Sequence, residues 1–452
     1  MLNAQKAGSQ TDSTLTLKEL ESGSYVIMGF ANFVNRQFAR GAIFLAVEIA
    51  YIIFMIQKGF GVLGGLISLG TKKQGWVTVE GSKIPILQKG DNSMLFMIYG
   101  VAVLVLTGIF ITIYLANLAD ARKLVQMRKK GQRPSTLSQD IKSLGDNNFH
   151  VTLMSLPVLG ILIFTVLPII FMILIAFTNY DGSHQVPGNL FTWVGLTNFK
   201  NIVGGNALLA GTFFPVLGWT LVWAALSTFS NYILGIIVAL MINKKGIRFK
   251  GVWRAILVLT IALPQFITLL VMRNMFDPYG PINQLLVWLG GEGARMFFFE
   301  NVMSARITVL IVNLWIGIPY TMLITSGILM NIPNDMYEAA KIDGASPFRI
   351  FVKITMPYVI FVTTPYLITQ FIGNLNNFNV IFLLTGGGPD TSAYYGAGKT
   401  DLLVTWLYKL TVNVYDYNLA STIGILVFII SAVFSLIAYQ NSASYKKEEQ
   451  FS

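Results

Sequence analysis

The sequence predicts an all-α integral membrane protein with eight transmembrane helices. Hydrophobic residues make up 54% of its 452 residues and charged residues only 12%, whereas soluble domains carry about 25% charged residues. A large buried core does not explain this deficit, because a soluble surface still needs charge. In addition, eight stretches reach the length of about 17 to 25 mainly apolar residues that a membrane helix requires.

The predicted spans differ in how clearly their composition marks them. Span one contains Glu48, and span seven becomes rich in asparagine at its end. Prolines inside spans, such as Pro168 and Pro264, are tolerable where neighbouring helices or water donate hydrogen bonds to the backbone carbonyls that the proline leaves without a partner. The spans cover residues 41–57, 93–117, 152–178, 214–242, 255–276, 306–329, 357–378 and 418–440.

The distribution of Lys and Arg predicts that both termini lie in the cytoplasm, since cytoplasmic loops are enriched in these residues. Segment 118–150, turn 243–254, loop 331–357 and the C-terminal tail all contain Lys or Arg. This topology accounts for the net charge of +11 without a nucleic-acid partner. The loop between spans one and two is an exception and weakens the assignment of the first hairpin; its lysines are Lys58, Lys72, Lys73, Lys83 and Lys89.

The residue inventory argues against several kinds of active site. Cysteine is absent and only His150 and His184 are present, so neither a cysteine nor a histidine metal site is expected. Ionisable groups inside a membrane are expensive and often functional. We expect Glu48 to find a polar neighbour and Arg273 to reach the outer interface. The scarcity of other intramembrane charges disfavours an ion-driven carrier, which remains the alternative class.

Loop 331–357 begins with the pattern of a short helix. Pro333 suits a first helical turn, and Asp335 and Glu338 lie where the helix dipole favours negative charge. Gly344 stands where a left-handed residue would end this helix. The loop is therefore predicted to contain a helix followed by a bend.

The second half of the loop predicts another helix. Ser346 and Pro347 form an N-cap and first-turn pair, and this helix is expected to run to Pro357. Ala339 and Ala340 leave a thin face on the preceding helix, which another protein surface could approach closely. From the pattern alone, a docking loop and an amphipathic hairpin on the membrane surface are equally good interpretations.

The same loop resembles the EAA signature of ABC importer permeases. The resemblance rests on Glu338-Ala339-Ala340, Asp343-Gly344-Ala345, Ile354 and Pro357. In that family the loop docks into a groove of a separate ATPase subunit, which implies that ATP and Mg are used by partner subunits and that this chain binds no cofactor. The implied coupling residues are Glu338, Ala339, Ala340, Asp343, Gly344 and Ala345.

Further stretches resemble the maltose-type permeases over residues 150–440, at 194–199, 313–320, 374–378, 387–390 and 400–404. The resemblance implies a six-helix permease core preceded by two extra helices. It also implies four partners, namely a second permease subunit, two ATPase subunits and an external sugar-binding protein. The implied division of the chain is a cytoplasmic N-terminal segment at residues 1–40, two transmembrane helices with a basic cytoplasmic linker at 41–150, the six-helix core at 151–440 and a cytoplasmic tail at 441–452.

Two features limit the resemblance. Enterobacterial members of the family carry a large folded domain after span three, whereas residues 179–213 here predict only a short loop. Gly398-Lys399-Thr400 looks like the end of a phosphate loop, but Ala393 stands where that motif needs its first glycine. We therefore expect no nucleotide site in this chain.

Helical spacing brings together polar residues that suit a sugar. Asn313, Gly317 and Tyr320 stand at i, i+4 and i+7 and share one helical face, and Gln370 and Asn374 stand at i and i+4. The alternative for each polar residue is a hydrogen bond between helices. In the resembled family the solute pocket is formed by these spans, which implies the substrate residues Gln265, Asn313, Ile316, Gly317, Tyr320, Gln370, Gly373 and Asn374.

The implied cargo is an oligosaccharide of the maltose or maltodextrin type, carried by alternating access across the cell membrane. Gly373 replaces a bulky aromatic residue of the family, from which we expect a roomier pocket and a longer oligosaccharide. Another glycoside, a polyol or a sugar acid remains an alternative cargo.

Overall fold

The computed structural model describes residues 17–77, 85–132, 134–244 and 246–441. Within them, seven helices are long and apolar enough to cross a membrane, and one bent helix pair is an eighth candidate. The predicted all-α membrane fold is confirmed, and the count of eight spans is consistent with it. Most of the tail 441–452 and part of segment 1–40 lie outside the described residues, as do Lys83, Arg133 and Lys245.

The helices are numbered in chain order. They are α1 Leu17–Val26, α2 Phe30–Val34, α3 Phe38–Phe54, α4 Phe60–Ser68, α5 Ser93–Lys129, α6 Leu137–Gly145, α7 Phe149–Ile161, α8 Leu167–Ile175, α9 Thr197–Lys200, α10 Ala207–Asn243, α11 Lys250–Ala262, α12 Gln265–Met275, α13 Pro281–Gly290, α14 Val302–Met330, α15 Asn334–Ile342, α16 Pro347–Ile350, α17 Met356–Leu375, α18 Phe378–Leu384, α19 Leu403–Lys409 and α20 Tyr417–Gln440.

Shorter elements complete the chain. Strands β1 Gly75–Val77 and β2 Ile86–Gln88 form an antiparallel hairpin. Among the described residues, five π-helical turns occur within or beside longer helices, at Met55–Gly59, Leu162–Val166, Asn201–Gly205, Phe351–Thr355 and Leu410–Val414, and a 3₁₀ turn lies at Glu292–Ala294. The chain divides into two compact units, a first of Met1–Leu174 with Ser183–Trp193 and a second of Ile175–Gly182 with Val194–Ser452.

In the first unit, span one is longer than the predicted 41–57. The helix runs from Phe38 to Ser68 and includes residues expected in a polar loop. Glycines explain the extension, because a Cβ on Gly65 would overlap the ring of Phe96 on α5. Close packing against α5 thus stabilises a segment that is rich in glycine and would otherwise have a low tendency to form a helix. As expected, Glu48 has a polar neighbour, since its Oε2 accepts a hydrogen bond from the Met28 amide (2.9 Å).

In the second unit, the 37-residue helix α10 packs against α14 and α17. Glycine allows the close contact with α14, because a Cβ on Gly235 would overlap the side chain of Thr321. Such small-residue contacts are typical of membrane helix interfaces. A buried apolar cluster containing Trp219, Trp223 and Leu269 joins α10 to α12.

Predicted span five is broken. Helices α11 and α12 meet at a bend of 95°, and Leu263 between them is extended (φ −78°, ψ 136°). Pro264 explains the break, because it lacks an N–H and disfavours helical geometry in the preceding residue. Pro319 and Pro365, by contrast, remain inside continuous helices. The break places Gln265 at the first position of α12.

The structure of loop 331–357 confirms most of its predicted local features. Helix α15 is followed by Gly344 in the left-handed conformation (φ +71°), and the Ser346 side chain caps α16 by accepting from the Arg349 amide (3.3 Å). The expectation that the second helix ends at Pro357 is wrong. The π-helical turn Phe351–Thr355 leads directly into α17, so the proline is accommodated near the start of a continuing helix.

A polar cavity as the candidate substrate site

A cavity of about 520 Å³ lies within the second unit among α10, α11, α12, α14 and α17. This volume falls in the range of about 300–1,000 Å³ that is typical of small-molecule sites. Seven of the eight residues implied as substrate ligands line it. They are Gln265, Asn313, Ile316, Gly317, Tyr320, Gln370 and Asn374.

Gly373 is the exception, because it does not line this cavity. It is exposed on α17, and a Cβ built on it would have no atom within 4 Å. The space beside Gly373 is therefore open in the isolated chain, so any effect of this glycine on pocket size depends on what closes that space.

Helical geometry explains how the other residues converge. Asn313, Gly317 and Tyr320 share one face of α14, as their spacing predicts, and all three line the cavity. Gln370 and Asn374 contribute one face of α17. Gln265 reaches the cavity because the break at Pro264 starts a new helix there.

Helix α10 forms a wall that the sequence reasoning missed. Ser227, Thr228, Asn231 and Tyr232 line the cavity at spacings of one, four and five residues, which is a single helical face. A polar face on an otherwise apolar span was the signal that could have revealed them. Tyr366 on α17, whose ring centroid lies 6.0 Å from that of Tyr320, was missed in the same way.

Two of the implied ligands already make hydrogen bonds between elements. The Asn374 Nδ2 donates to the Thr228 Oγ1 (3.0 Å), and the Gln265 Oε1 accepts from the Asn379 Nδ2 (3.2 Å). These contacts are the helix–helix alternative weighed for such residues. They hold α17 against α10 and α12 against α18, and they position the cavity wall.

Other polar atoms around the cavity have no partner. Among the described residues, the Asn313 Nδ2, the Asn231 Oδ1, the Ser227 Oγ and the Thr268 Oγ1 are buried and make no hydrogen bond. A buried polar group left unsatisfied costs about 1–3 kcal/mol. Four such groups around one cavity indicate a wall suited to a ligand that carries both hydroxyl donors and acceptors.

Gly317 has a packing role at this wall. A Cβ on Gly317 would overlap the side-chain amide of Asn231 on α10. The glycine therefore allows α14 to approach α10 and fixes where the Asn231 amide stands.

The cavity wall carries no charge in the part of the chain that the structure describes. Its lining side chains are amides, hydroxyls, tyrosine rings and aliphatic groups. Tyr320, with 47% of its surface exposed, offers an aromatic face of the kind that packs against a sugar ring. The arrangement suits a neutral polyhydroxylated solute.

The implied coupling residues lie apart from the cavity on α15 and the bend after it. Glu338, Ala339, Asp343 and Gly344 are exposed and Ala340 and Ala345 are half-buried. The Tyr337 hydroxyl lies 3.1 Å from the Thr355 Oγ1 and joins α15 to the π-helical turn that leads into α17. Because α17 also carries Gln370 and Asn374, this helix connects the loop at its N-terminal end to the cavity wall further along.

The glycine-rich segments after α18 form a structural turn. The buried Asp401 carboxylate pairs with the Lys409 Nζ (2.7 Å) and accepts from the Gly398 amide (2.6 Å). Burial raises the pKa of Asp401, and Lys409 opposes that shift. The Thr400 hydroxyl donates to the Gly388 carbonyl (2.5 Å). The segment that looked like a phosphate loop is thus engaged in holding this turn together.

Comparison with known proteins identifies the family. Residues 231–443 match the family model described as the binding-protein-dependent transport system inner membrane component. The galactooligosaccharide transport permease of Bacillus subtilis is 35% identical, over 94% of this chain and 97% of that protein. The maltodextrin transport permease of the same organism is 34% identical, over 96% and 98% respectively.

More distant relatives match the core of the chain. The maltose/maltodextrin permease of Escherichia coli is 35% identical, but the match covers 57% of this chain and 51% of that protein. Among solved structures, a bacterial ABC transporter that imports alginate matches with a TM-score of 0.55 and 24% identity, over 67% of this chain and 97% of that chain; this likeness shows a shared fold. Together with the near full-length relatives, these findings establish that the chain is a multi-pass membrane permease of the ABC importers and belongs to the family of sugar-transport permeases, rather than to the enzymes.

Proposed function

We propose that this permease carries neutral oligosaccharides of the maltodextrin type through the polar cavity. The observation that carries this proposal is the uncharged cavity wall, which combines unsatisfied amide and hydroxyl groups with tyrosine rings. Sugar recognition needs hydrogen-bond partners for hydroxyls and flat apolar surfaces for ring faces. The near full-length maltodextrin permease relative supports the same cargo.

The same chemistry disfavours an acidic sugar. A buried carboxylate needs a cationic partner or several donors to offset the loss of water, and no Lys or Arg lines the cavity among the described residues. The alginate transporter, which imports an acidic polysaccharide, resembles this chain only in fold. A galactooligosaccharide is the second candidate, because the permease named for that cargo is equally similar and the cargo is also neutral.

Transport would be driven by partner subunits. We expect a second permease subunit to complete the pore, two ATPase subunits to bind and hydrolyse ATP with Mg, and an external binding protein to deliver the sugar. ATP shifts the pore only by binding to its two conformations with different affinity. Loop 331–357 would transmit that difference, with Glu338, Ala339, Ala340, Asp343, Gly344 and Ala345 at the docking surface.

The contacts on α17 suggest how docking would reach the sugar. Movement of α15 would pull on the π-helical turn through Tyr337 and Thr355. Helix α17 continues from that turn to Asn374, which is bonded to Thr228 of α10. A shift of α17 would therefore change both the cavity wall and its contact with α10.

The proposed topology has both termini in the cytoplasm. Segment 1–40, the basic linker within 41–150, loop 331–357 of the core 151–440 and the tail 441–452 would then lie on the side of the ATPases. The basic residues of these segments support this orientation.

Sugar uptake tests the proposal directly. Labelled maltose, longer maltodextrins and a galactooligosaccharide are offered to cells that lack or carry the chain, with and without depletion of ATP. We expect ATP-dependent uptake of a maltodextrin that disappears with the chain. Uptake of the galactooligosaccharide alone would select the second candidate, and uptake that follows an ion gradient would contradict the importer mechanism.

A further inference from the structure

The β1–β2 hairpin of the first unit has apolar side chains on both faces. Its register pairs Trp76 with Leu87 and Val77 with Ile86. Opposite residues of an antiparallel pair project to the same face, and successive residues project to opposite faces. Trp76 and Leu87 therefore cover one face, and Val77 and Ile86 cover the other.

Both faces are exposed in the part of the chain that the structure describes. Trp76 is 70% exposed and Ile86 is 56% exposed, and Val77 and Leu87 are exposed as well. A hairpin on a soluble surface normally has one apolar face packed and one polar face in water. An isolated two-stranded hairpin is only marginally stable in water, so apolar surroundings on both sides would stabilise this one.

The hairpin begins where two membrane helices end. Helix α4 ends at Ser68 and α5 begins at Ser93, and both belong to spans long and apolar enough to cross a membrane. The Asp91 Oδ2 accepts from the amides of Thr71 (2.8 Å) and Lys72 (2.9 Å), which closes the base of the hairpin. Each strand has three residues and extends about 10 Å, so the strands stay close to the helix ends.

The charges near the base match a phospholipid interface. Lys72, Lys73 and Lys89 are exposed, and lysines at such a position place their ammonium groups among lipid phosphates while their stems cover apolar surface. Tryptophan is enriched at the same depth, because its ring is apolar and its N–H is polar. A protein docked on one face would leave the other face in water, whereas a lipid interface surrounds both.

We propose that the β1–β2 hairpin is a lipid-interface anchor. Trp76, Val77, Ile86 and Leu87 insert into the boundary between phospholipid headgroups and acyl chains, and the neighbouring lysines contact the phosphates. The anchor holds the first helical hairpin at a constant depth in the membrane. It is independent of the cargo and of the coupling loop.

Site-specific labels test this anchor. The natural sequence contains no cysteine, so Trp76→Cys and Ile86→Cys each give one labelling site, one on each face of the hairpin. Each full-length variant carries a polarity-sensitive fluorophore in nanodiscs of phosphatidylcholine and phosphatidylglycerol. Quenching by bromine on the lipid acyl chains is compared with quenching by iodide in the water. Asn334→Cys, exposed on α15, is the control for a water-exposed site.

The expected result is that both hairpin labels are quenched by the brominated lipid and protected from iodide, while the control label behaves in the opposite way. Iodide quenching of both hairpin labels to the level of the control would overturn the proposal. Protection of only one face would instead indicate a docked protein and would overturn it equally. Sugar uptake by the unlabelled variants, measured in parallel, shows that they are folded, because neither residue lies in the transport cavity.

Discussion

Asn313 lines the cavity with a side-chain amide that is not used in the hydrogen bonding of the fold. Its Nδ2 is buried without a hydrogen-bond partner in the described part of the chain. Asn374, on the opposite wall, has its own Nδ2 bonded to Thr228. Replacement of Asn313 should therefore affect mainly ligand binding, whereas replacement of Asn374 should also affect the stability of the protein.

We predict that Asn313→Ala weakens sugar binding more than it weakens the protein. The loss of one hydrogen bond, worth about 1 kcal/mol, corresponds to roughly fivefold in affinity, and the Asn313 Nδ2 has no hydrogen bond within the described residues to lose. The KM for sugar uptake measures the first effect, and the thermal stability of the solubilised protein measures the second. Asn374→Ala is the comparison, and it should lower the melting temperature. Equal stability losses in both variants would contradict the assignment.

We predict that Gly317→Ala destabilises the contact between α10 and α14. The new methyl group would overlap the Asn231 amide, and overpacking of this kind costs about 1–3 kcal/mol. Gly327→Ala is a matched control on the same helix, since its Cβ would have no atom within 4 Å. Thermal unfolding of the two solubilised variants should separate them. An unchanged melting temperature for Gly317→Ala would show that the helices adjust without cost.

Spacing along one helix was enough to predict which residues of α14 share a face. The shared face of Asn313, Gly317 and Tyr320 follows from the helical repeat alone. Ser227 and Asn231 escaped notice because their place at the cavity depends on a contact with α14, which is distant along the chain. Gly373 was carried over by resemblance and lies outside the cavity wall, since a family motif fixes a residue's position on a helix but not the surface that the helix finally meets.

At the scale of elements, the bend after α15 depends on one left-handed residue. Gly344 has φ +71°, and residues with a Cβ pay about 1–2 kcal/mol in this conformation. A β-branched side chain is especially unfavourable there.

We predict that Gly344→Val leaves membrane insertion intact but uncouples ATP hydrolysis from sugar uptake. The strained bend would reorient α15 relative to the π-helical turn, while the spans would keep their apolar length. Met336→Val, at an exposed position of the same helix, is the control without a left-handed backbone. ATPase activity and uptake are measured together in proteoliposomes of the complete transporter. Normal uptake by Gly344→Val would contradict the coupling role of this loop.

The turn before α20 contains a carboxyl group that should make stability depend on pH. Burial raises the pKa of Asp416, and the nearby Asp181 carboxylate raises it further, although the Tyr395 hydroxyl donates a hydrogen bond to it. A carboxyl whose folded pKa is raised stabilises the fold below its unfolded pKa, and this contribution is lost as the pH rises through the folded pKa.

We therefore predict that the stability of the Asp416→Asn variant, relative to that of the natural protein, increases as the pH rises from about 4 to 7. The amide oxygen still accepts from Tyr395, and the buried charge is removed. The difference in melting temperature between the variant and the natural protein, measured across this range, should increase. A difference that stays constant with pH would show that Asp416 titrates normally.

At the scale of the whole molecule, the size of the proposed sugar site would depend on more than this chain. The cavity is bounded by five helices of the second unit, but the side of α17 that carries Gly373 faces open space. In the proposed assembly the second permease subunit would close that space. Cargo length would then be set jointly by the two subunits.

We predict that Gly373→Phe shifts the preference of the assembled transporter towards short sugars. The isolated chain has room for the ring, so folding should be unaffected, whereas the pore would lose the volume that a longer oligosaccharide needs. Competition of maltodextrins of increasing length with labelled maltose measures the shift. If long oligosaccharides compete as well as before, Gly373 lies outside the sugar path.

The sequence by itself determined the fold class, the approximate positions of the spans and the local form of loop 331–357. These features depend on short stretches of chain, namely on apolar length, on the N-cap at Ser346 and on the left-handed residue at Gly344. Only the tertiary structure decided the bend of 95° at Pro264, the extension of the first span to Ser68 and the wall of α10 beside the cavity. The extension and the α10 wall depend on packing between segments far apart in the chain. The bend follows from Pro264, but a proline in the sequence does not by itself predict a break, since Pro319 and Pro365 remain inside continuous helices.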